Sequence, residues 1–108
     1  MQWQVVILNH AVAAEMNALP VDLRAKMARV IDLLETYGPH NVREPYVKPL
    51  GGKLWEMRMK APHGIARAIY VAASGGRLIV LHAFVKKTQR TPRRAIELAR
   101  RRAKEIAE

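Results

Sequence analysis

Two hydrophobic periods run through this chain, one alternating and one recurring every third or fourth residue, and together they divide it into strands and helices. Trp3 to Leu8 is apolar and β-branched and predicts a short strand. His10 to Ala18 is rich in Ala, Glu and Met and predicts a helix, which Pro20 ends while opening a second one. In that second helix Leu23, Met27, Val30, Ile31 and Leu34 form one apolar stripe, and Gly38-Pro39 stops it. Lys53 to Met59 alternates, with Leu54, Glu56 and Arg58 on one face and Trp55, Met57 and Met59 on the other. Ile65 to Val71 and Arg77 to Val85 are two further strands, and the glycines between them at Gly75 and Gly76 suit a tight hairpin. These three strands are expected to form an antiparallel meander. Thr91 suits an N-cap and Pro92 a first helical position, followed by an apolar stripe of Ile96, Ala99, Ala103 and Ile106. The order β-α-α-β-β-β-α predicts an α+β fold with its helices packed on one sheet face.

Length and composition add bounds to that picture. A chain of 108 residues, half of them apolar, is enough for one domain with one core, so a single domain over residues 1–108 is expected. With no cysteine there is no disulfide framework and no thiolate chemistry, and a reducing cytoplasm is the expected home. The longest early apolar run, Val5 to Leu8, falls short of a signal segment, and no window approaches a membrane span, so no membrane partner is expected.

Charge changes the picture most. The net charge is +10, and residues 48–108 carry 15 of the 19 Lys and Arg against 4 of the 9 Asp and Glu. A charge so placed attracts phosphate backbones by counterion release, which points to RNA. Lys86, Lys87 and Arg90 stand at a strand-to-helix junction, where they can converge on one phosphate.

The usual catalytic motifs are missing: no phosphate-cradling glycine loop, no nucleophile elbow, no paired histidines at metal-binding spacing. No metal or cofactor is expected. Cations alone can serve one reaction, the cleavage of RNA by its own 2′-hydroxyl, in which side chains orient the groups and stabilise extra charge on phosphorus. Arg58, Arg67 and Lys87 are the candidates, because Arg58 and Arg67 fall on neighbouring strands and Lys87 leaves the third. Of the four histidines only His82 stands near the Lys pair.

Three segments together, KPLGGKLWEMR at 48–58, RAIY at 67–70 and VLHAFVKKTQRTP at 80–92, resemble the HigB-like, phage-derived branch of the RelE toxin superfamily. The resemblance spans nearly the whole chain. It implies a type II toxin, an endoribonuclease that cuts mRNA at the ribosomal A site, paired with an antitoxin that carries a helix-turn-helix region. By position it implies catalytic roles for Arg58, Arg67 and Lys87, and Lys53, Lys86, Gln89, Arg90 and Arg93 are the candidates for binding RNA. Glu56 stands where other RelE toxins have a Lys, and Arg93 where they have a functional Tyr, so acid and base roles do not carry over. His82 and Glu56 are the two residues that could fill one. Two other readings keep the charge but not the reaction: a ParE-like inhibitor of gyrase, and a nucleic-acid-binding module without catalysis.

Overall fold

The computed structural model describes residues 2–106. β1 (Gln4–Ile7) leads into α1 (His10–Asn17) and α2 (Val21–Tyr37), then a single 3-10 turn at Pro39–Asn41. Four strands follow, β2 (Val47–Gly51), β3 (Leu54–Ala61), β4 (Gly64–Ala73) and β5 (Arg77–Lys86), and α3 (Arg93–Ala103) closes the fold.

The strands make one sheet in the order β1-β5-β4-β3-β2, antiparallel except for β1, which runs parallel to β5. The α+β class, the helix positions and the β3-β4-β5 meander agree with the sequence pattern. Three features depart from it. The chain adds β2, the sheet is mixed rather than antiparallel, and the helices lie on both faces rather than one.

α1 and α2 cover the face built from Met57, Met59, Ala66, Ala68, Tyr70, Leu78 and Val80, against which Leu23, Met27, Val30 and Leu34 pack. α3 covers part of the other face, where Leu54, Ile69, Val71, Ile79 and Leu81 meet Ala95 and Ala99. Both faces of β4 and β5 are apolar, so a layer on each side is needed to bury them.

Local chemistry sets the helix ends. The Asn9 side chain accepts the Val12 amide at 3.0 Å and caps α1. Gly38 ends α2 at φ 83°, and a Cβ there would lie 3.2 Å from Trp3 Nε1, so both the turn and the Trp3 ring need glycine. α3 begins differently from expectation. Pro92, not Thr91, is its N-cap and has no polar side chain to cap with, and the Thr91 hydroxyl donates to Glu56.

β1 ends opposite Val80, which leaves the rest of β5 with an open edge. At that point Tyr70 pairs with Val80 and Ile69 with His82, so Leu81 is an extra residue and β5 bulges. Two helices close this edge. Glu15 of α1 accepts the Ala83 amide at 3.2 Å, and Arg102 of α3 donates to the Leu81 carbonyl at 2.9 Å. The two side chains also meet each other at 2.9 Å, and His82 Nδ1 lies 2.8 Å from Glu15. Unpaired strand groups are thereby satisfied and protected from other strands.

Burial pushes the Glu15 carboxyl up, but the bonds from Arg102, His82 and the Ala83 amide outweigh it and hold its pKa below the ordinary 4.5. A carboxyl lowered on folding contributes stability above its unfolded pKa, and that contribution is lost as pH falls through the folded one. Thermal melts should therefore show stability declining below about pH 4.5, with Glu15→Gln flattening the decline. At neutral pH Glu15→Ala should cost about 1–3 kcal/mol, since it strands His82 and Arg102 as well. An unchanged urea midpoint would show that α3 is held on by its apolar face alone.

Candidate active site

Strand register places chemistry on the part of the sheet that α3 leaves uncovered. Side chains cross that face in rows: Lys48, Glu56, Ile69 and His82 in one, Arg58, Arg67 and Phe84 in the next, Lys60, Ile65 and Lys86 in the third. Tyr46 sits at the outer end of the middle row, its carbonyl accepting the Arg58 amide at 2.8 Å.

Arg58 and Arg67 are direct cross-strand partners, and like charges so placed repel. Glu56 offsets that repulsion from the row beside them. Its Oε1 lies 3.5 Å from Arg67 Nε and 3.9 Å from Arg58 Nε, and its side chain is only 3 % exposed. Its Oε2 accepts the Thr91 hydroxyl at 2.5 Å, which fastens the segment before α3 to the sheet.

Arg67 is nearly as buried as Glu56. One terminal nitrogen donates to the Ala66 carbonyl at 3.0 Å, while its Nε, close to Glu56, completes no hydrogen bond. Burial first, then the Arg58 charge, push the Arg67 pKa below its ordinary value, with Glu56 acting in the opposite sense. A guanidinium stays charged nonetheless. Arg67 is thus a fixed buried cation with donor capacity to spare, an arrangement that in native proteins calls for a functional explanation.

Lys86 ends β5 one row away. Its ammonium donates to the Gln89 carbonyl and shapes the turn that carries Lys87, while the Thr88 hydroxyl donates to the Arg90 carbonyl at 2.8 Å. Burial and the charges of Arg67, Arg58 and Lys48 lower the Lys86 pKa, partly countered by Glu56.

These groups open into a cleft of about 870 Å³. It is lined by Arg58, Lys60, Ile65, Arg67 and Lys86 to Gln89 from the face that α3 shares, by Lys26, Arg29 and Val30 of α2 and Met59 from the opposite face, and by Pro45 and Tyr46 before β2. Seven lining side chains are cationic and none is acidic. Such a cleft concentrates phosphate and repels cationic ligands.

The structure therefore brings together Arg58, Arg67, Lys86, Lys87 and Gln89. It does not bring the other candidates to them. Lys53 lies at the opposite end of β3, beside Arg100. Arg90 and Arg93 are exposed on the α3 approach and do not line the cleft. Of the two acid/base candidates, Glu56 is buried beside the cleft and is engaged by two arginines and Thr91. His82 is outside it, bound to Glu15 and stacked on Phe84 with ring centroids 4.8 Å apart.

Lys26, Arg29, Tyr46 and Lys60 escaped sequence reasoning. Lys26 and Arg29 stand three apart opposite the apolar stripe of α2, a pattern that every solvated helix face shows. Among the described residues no three His, Asp or Glu side chains gather as a metal site would require. No helix there is long and apolar enough to cross a membrane.

The profile of a family described as Phage derived protein Gp49-like (DUF891) matches residues 14–104, from α1 through the end of α3. The chain belongs to this family. Among solved structures it is similar to the archaeal RelE–RelB complex from Pyrococcus horikoshii OT3, at 26 % identity over 79 % of this chain and 96 % of that one, with a TM-score of 0.57. A search of curated proteins found no match. Family and structural likeness together place this Gp49-like protein in the RelE-like toxin superfamily.

Glu56 is the test of the site's construction. Replacing it by Ala leaves a buried arginine without its counterion and should cost about 3–5 kcal/mol in urea unfolding. Glu56→Gln keeps an acceptor for Thr91 and should cost less. Equal midpoints for all three proteins would mean that Arg58 and Arg67 do not need Glu56 to share this face.

Proposed function

We propose that this Gp49-like protein is the toxin of a type II toxin–antitoxin pair and cuts mRNA in the ribosomal A site. The observation that carries the reading is the convergence of Arg58, Arg67, Lys86 and Lys87 on one solvent-open cleft without an acidic lining residue. The likeness to a RelE–RelB complex supports an antitoxin partner in the same way.

The reaction asks little of the protein beyond orientation and charge. The 2′-oxygen attacks the adjacent phosphorus as its proton leaves to solvent, and the bond from phosphorus to the 5′-oxygen breaks in line. The products are a 2′,3′-cyclic phosphate and a 5′-hydroxyl. Between them phosphorus carries five oxygens and extra negative charge, and preorganised cations stabilise that state more than the starting diester. Arg67, held rigidly by burial, and Arg58 beside it take the non-bridging oxygens. Lys87, exposed on its turn, reaches the phosphate from above. Gln89 and Lys86 hold that turn in place.

The departing 5′-oxygen needs a proton. Neither His82, tied to Glu15, nor Glu56, tied to the arginines, faces the cleft with one to give. Lys86 does: it lines the cleft, and its lowered pKa makes the ammonium a better acid than an ordinary lysine.

Primer extension on mRNA-programmed ribosomes tests the assignment. Arg67→Ala or Lys87→Ala should each slow cleavage by about 10²–10³-fold while the protein stays folded. A general acid must be protonated, so the rate should fall as pH rises through the Lys86 pKa, below the ordinary 10.5. Lys86→Arg keeps the charge but cannot release the proton, and should be slow and lose that alkaline fall. Folded protein that cuts neither ribosome-bound nor free mRNA would overturn the reading.

A further inference from the structure

The phosphate-facing cations fill only part of the cleft. Its lining also includes Tyr46, Lys26 and Arg29, which the cleavage chemistry leaves unused. Tyr46 is 44 % exposed although its neighbour Val47 is buried, so its ring is held at the surface with no packing role to account for it. Its backbone is fixed: the Tyr46 carbonyl accepts the Arg58 amide, and the Tyr46 amide donates to the Arg43 carbonyl at 3.0 Å. The Tyr46 backbone is thus anchored beside that of Arg58.

Lys26 and Arg29 lie one turn apart on α2 and are exposed, with no carboxylate partner among the described residues. On a helix surface such residues usually project into solvent, yet here both line the same cleft as Tyr46. An aromatic ring beside unpaired cations in a groove without acidic residues is the combination by which single-stranded nucleic acid is held. Bases stack on the ring while cations follow the backbone.

We infer that Tyr46, Lys26 and Arg29 form a nucleotide subsite next to the scissile phosphate, with the flanking base stacked on Tyr46 and its phosphate held by the α2 pair. The inference rests on the RNA-cleaving reading of the cleft and adds to it. The catalytic cations hold one phosphate, and the subsite fixes the strand on one side of it. A strand held at two points cannot rotate about the scissile bond, which the in-line geometry requires. Stacking is tolerant of base identity, so the subsite contributes position more than sequence choice.

The probe is a short single-stranded 2′-O-methyl oligoribonucleotide of mixed sequence, which has no free 2′-hydroxyl and cannot be cut. Its affinity for the full chain is measured by fluorescence anisotropy across a salt series, alongside cleavage of the unmodified strand. Tyr46→Leu should weaken binding about 5- to 150-fold with the salt slope unchanged, and Tyr46→Trp should restore it. The double variant Lys26→Ala, Arg29→Ala should lower the salt slope by about 0.7 for each phosphate it no longer neutralises. All these side chains are exposed, and circular dichroism melts confirm that the variants fold.

If the wild-type chain binds and cuts RNA while Tyr46→Leu and the double variant match it in affinity and slope, the subsite is wrong and the cleavage reading stands. If the wild type neither binds nor cuts, both fall. A weakening in the double variant that appears equally with heparin, together with indifference to Tyr46→Leu, marks a generic polyanion patch and also overturns the subsite.

Discussion

Arg58 and Arg67 face each other across β3 and β4, and the sheet tolerates that pairing because Glu56 lies buried in the row beside them. Much else follows from this arrangement. A buried carboxylate is costly unless its charge is met, and two arginines and a hydroxyl meet it. The hydroxyl is that of Thr91, so the same carboxylate that reconciles the arginines also sets where the segment before α3 touches the sheet. Electrostatics in one strand row thereby fixes the position of a helix more than thirty residues away in the chain.

α3 divides its sheet face in two. Its apolar side covers Leu54, Ile69, Val71, Ile79 and Leu81, and beyond its first turn the face is left to Arg58, Arg67, Phe84 and Lys86. On the opposite face α1 and α2 both pack on the sheet. The dividing line depends on Arg102, which bonds the Leu81 carbonyl at the bulge and Glu15 of α1, tying the far end of α3 to the sheet edge. α3 is therefore pinned at both ends by polar contacts, Thr91 before its start and Arg102 near its close, with an apolar stripe between in which Ala95 and Ala99 are buried and Ile96 and Ala103 half-buried. Small residues there let the helix sit close to the sheet but bury little area, so these polar contacts contribute more to its placement than they would on a Leu-rich helix.

Sequence alone revealed the parts of this design that depend on local period. The stripe Leu23 to Leu34 and the alternation of Lys53 to Met59 were legible because each buries one side of a regular element. β2 was not legible, since Val47–Gly51 contains a proline and ends in glycine and is stabilised only by pairing with β3. The parallel placement of β1 and the second helical layer are decided by contacts between distant segments, and no local pattern encodes them. The site divides in the same way. Arg58, Arg67, Lys86, Lys87 and Gln89 were legible because strand neighbours and a short turn keep them close. Lys26 and Arg29 were hidden, because a cation on a solvated helix looks the same whether or not a cleft lies beneath it. His82 looked available from its position before the Lys pair, and only the fold reveals that Glu15 takes it.

The cation cluster also explains why a residue as unexpected as Glu56 fits beside the cations that line the cleft. A face bearing Arg58, Arg67, Lys86 and nearby Lys48 without any carboxylate would repel itself, and much of that charge would have to be solvated rather than buried. Solvated cations reorient, and a reorienting charge stabilises a developing negative charge poorly. Burying Glu56 beside the arginines fixes Arg67 at the cost of one unit of positive charge, and six further cations keep the cleft strongly positive. Glu56 is buried and does not line the cleft, so it repels an arriving phosphate less than a lining carboxylate would. A buried anion beside the cleft's cations is thus a way to keep Arg67 rigid and the cleft positive, and rigidity is what the proposed catalysis by charge alone would demand.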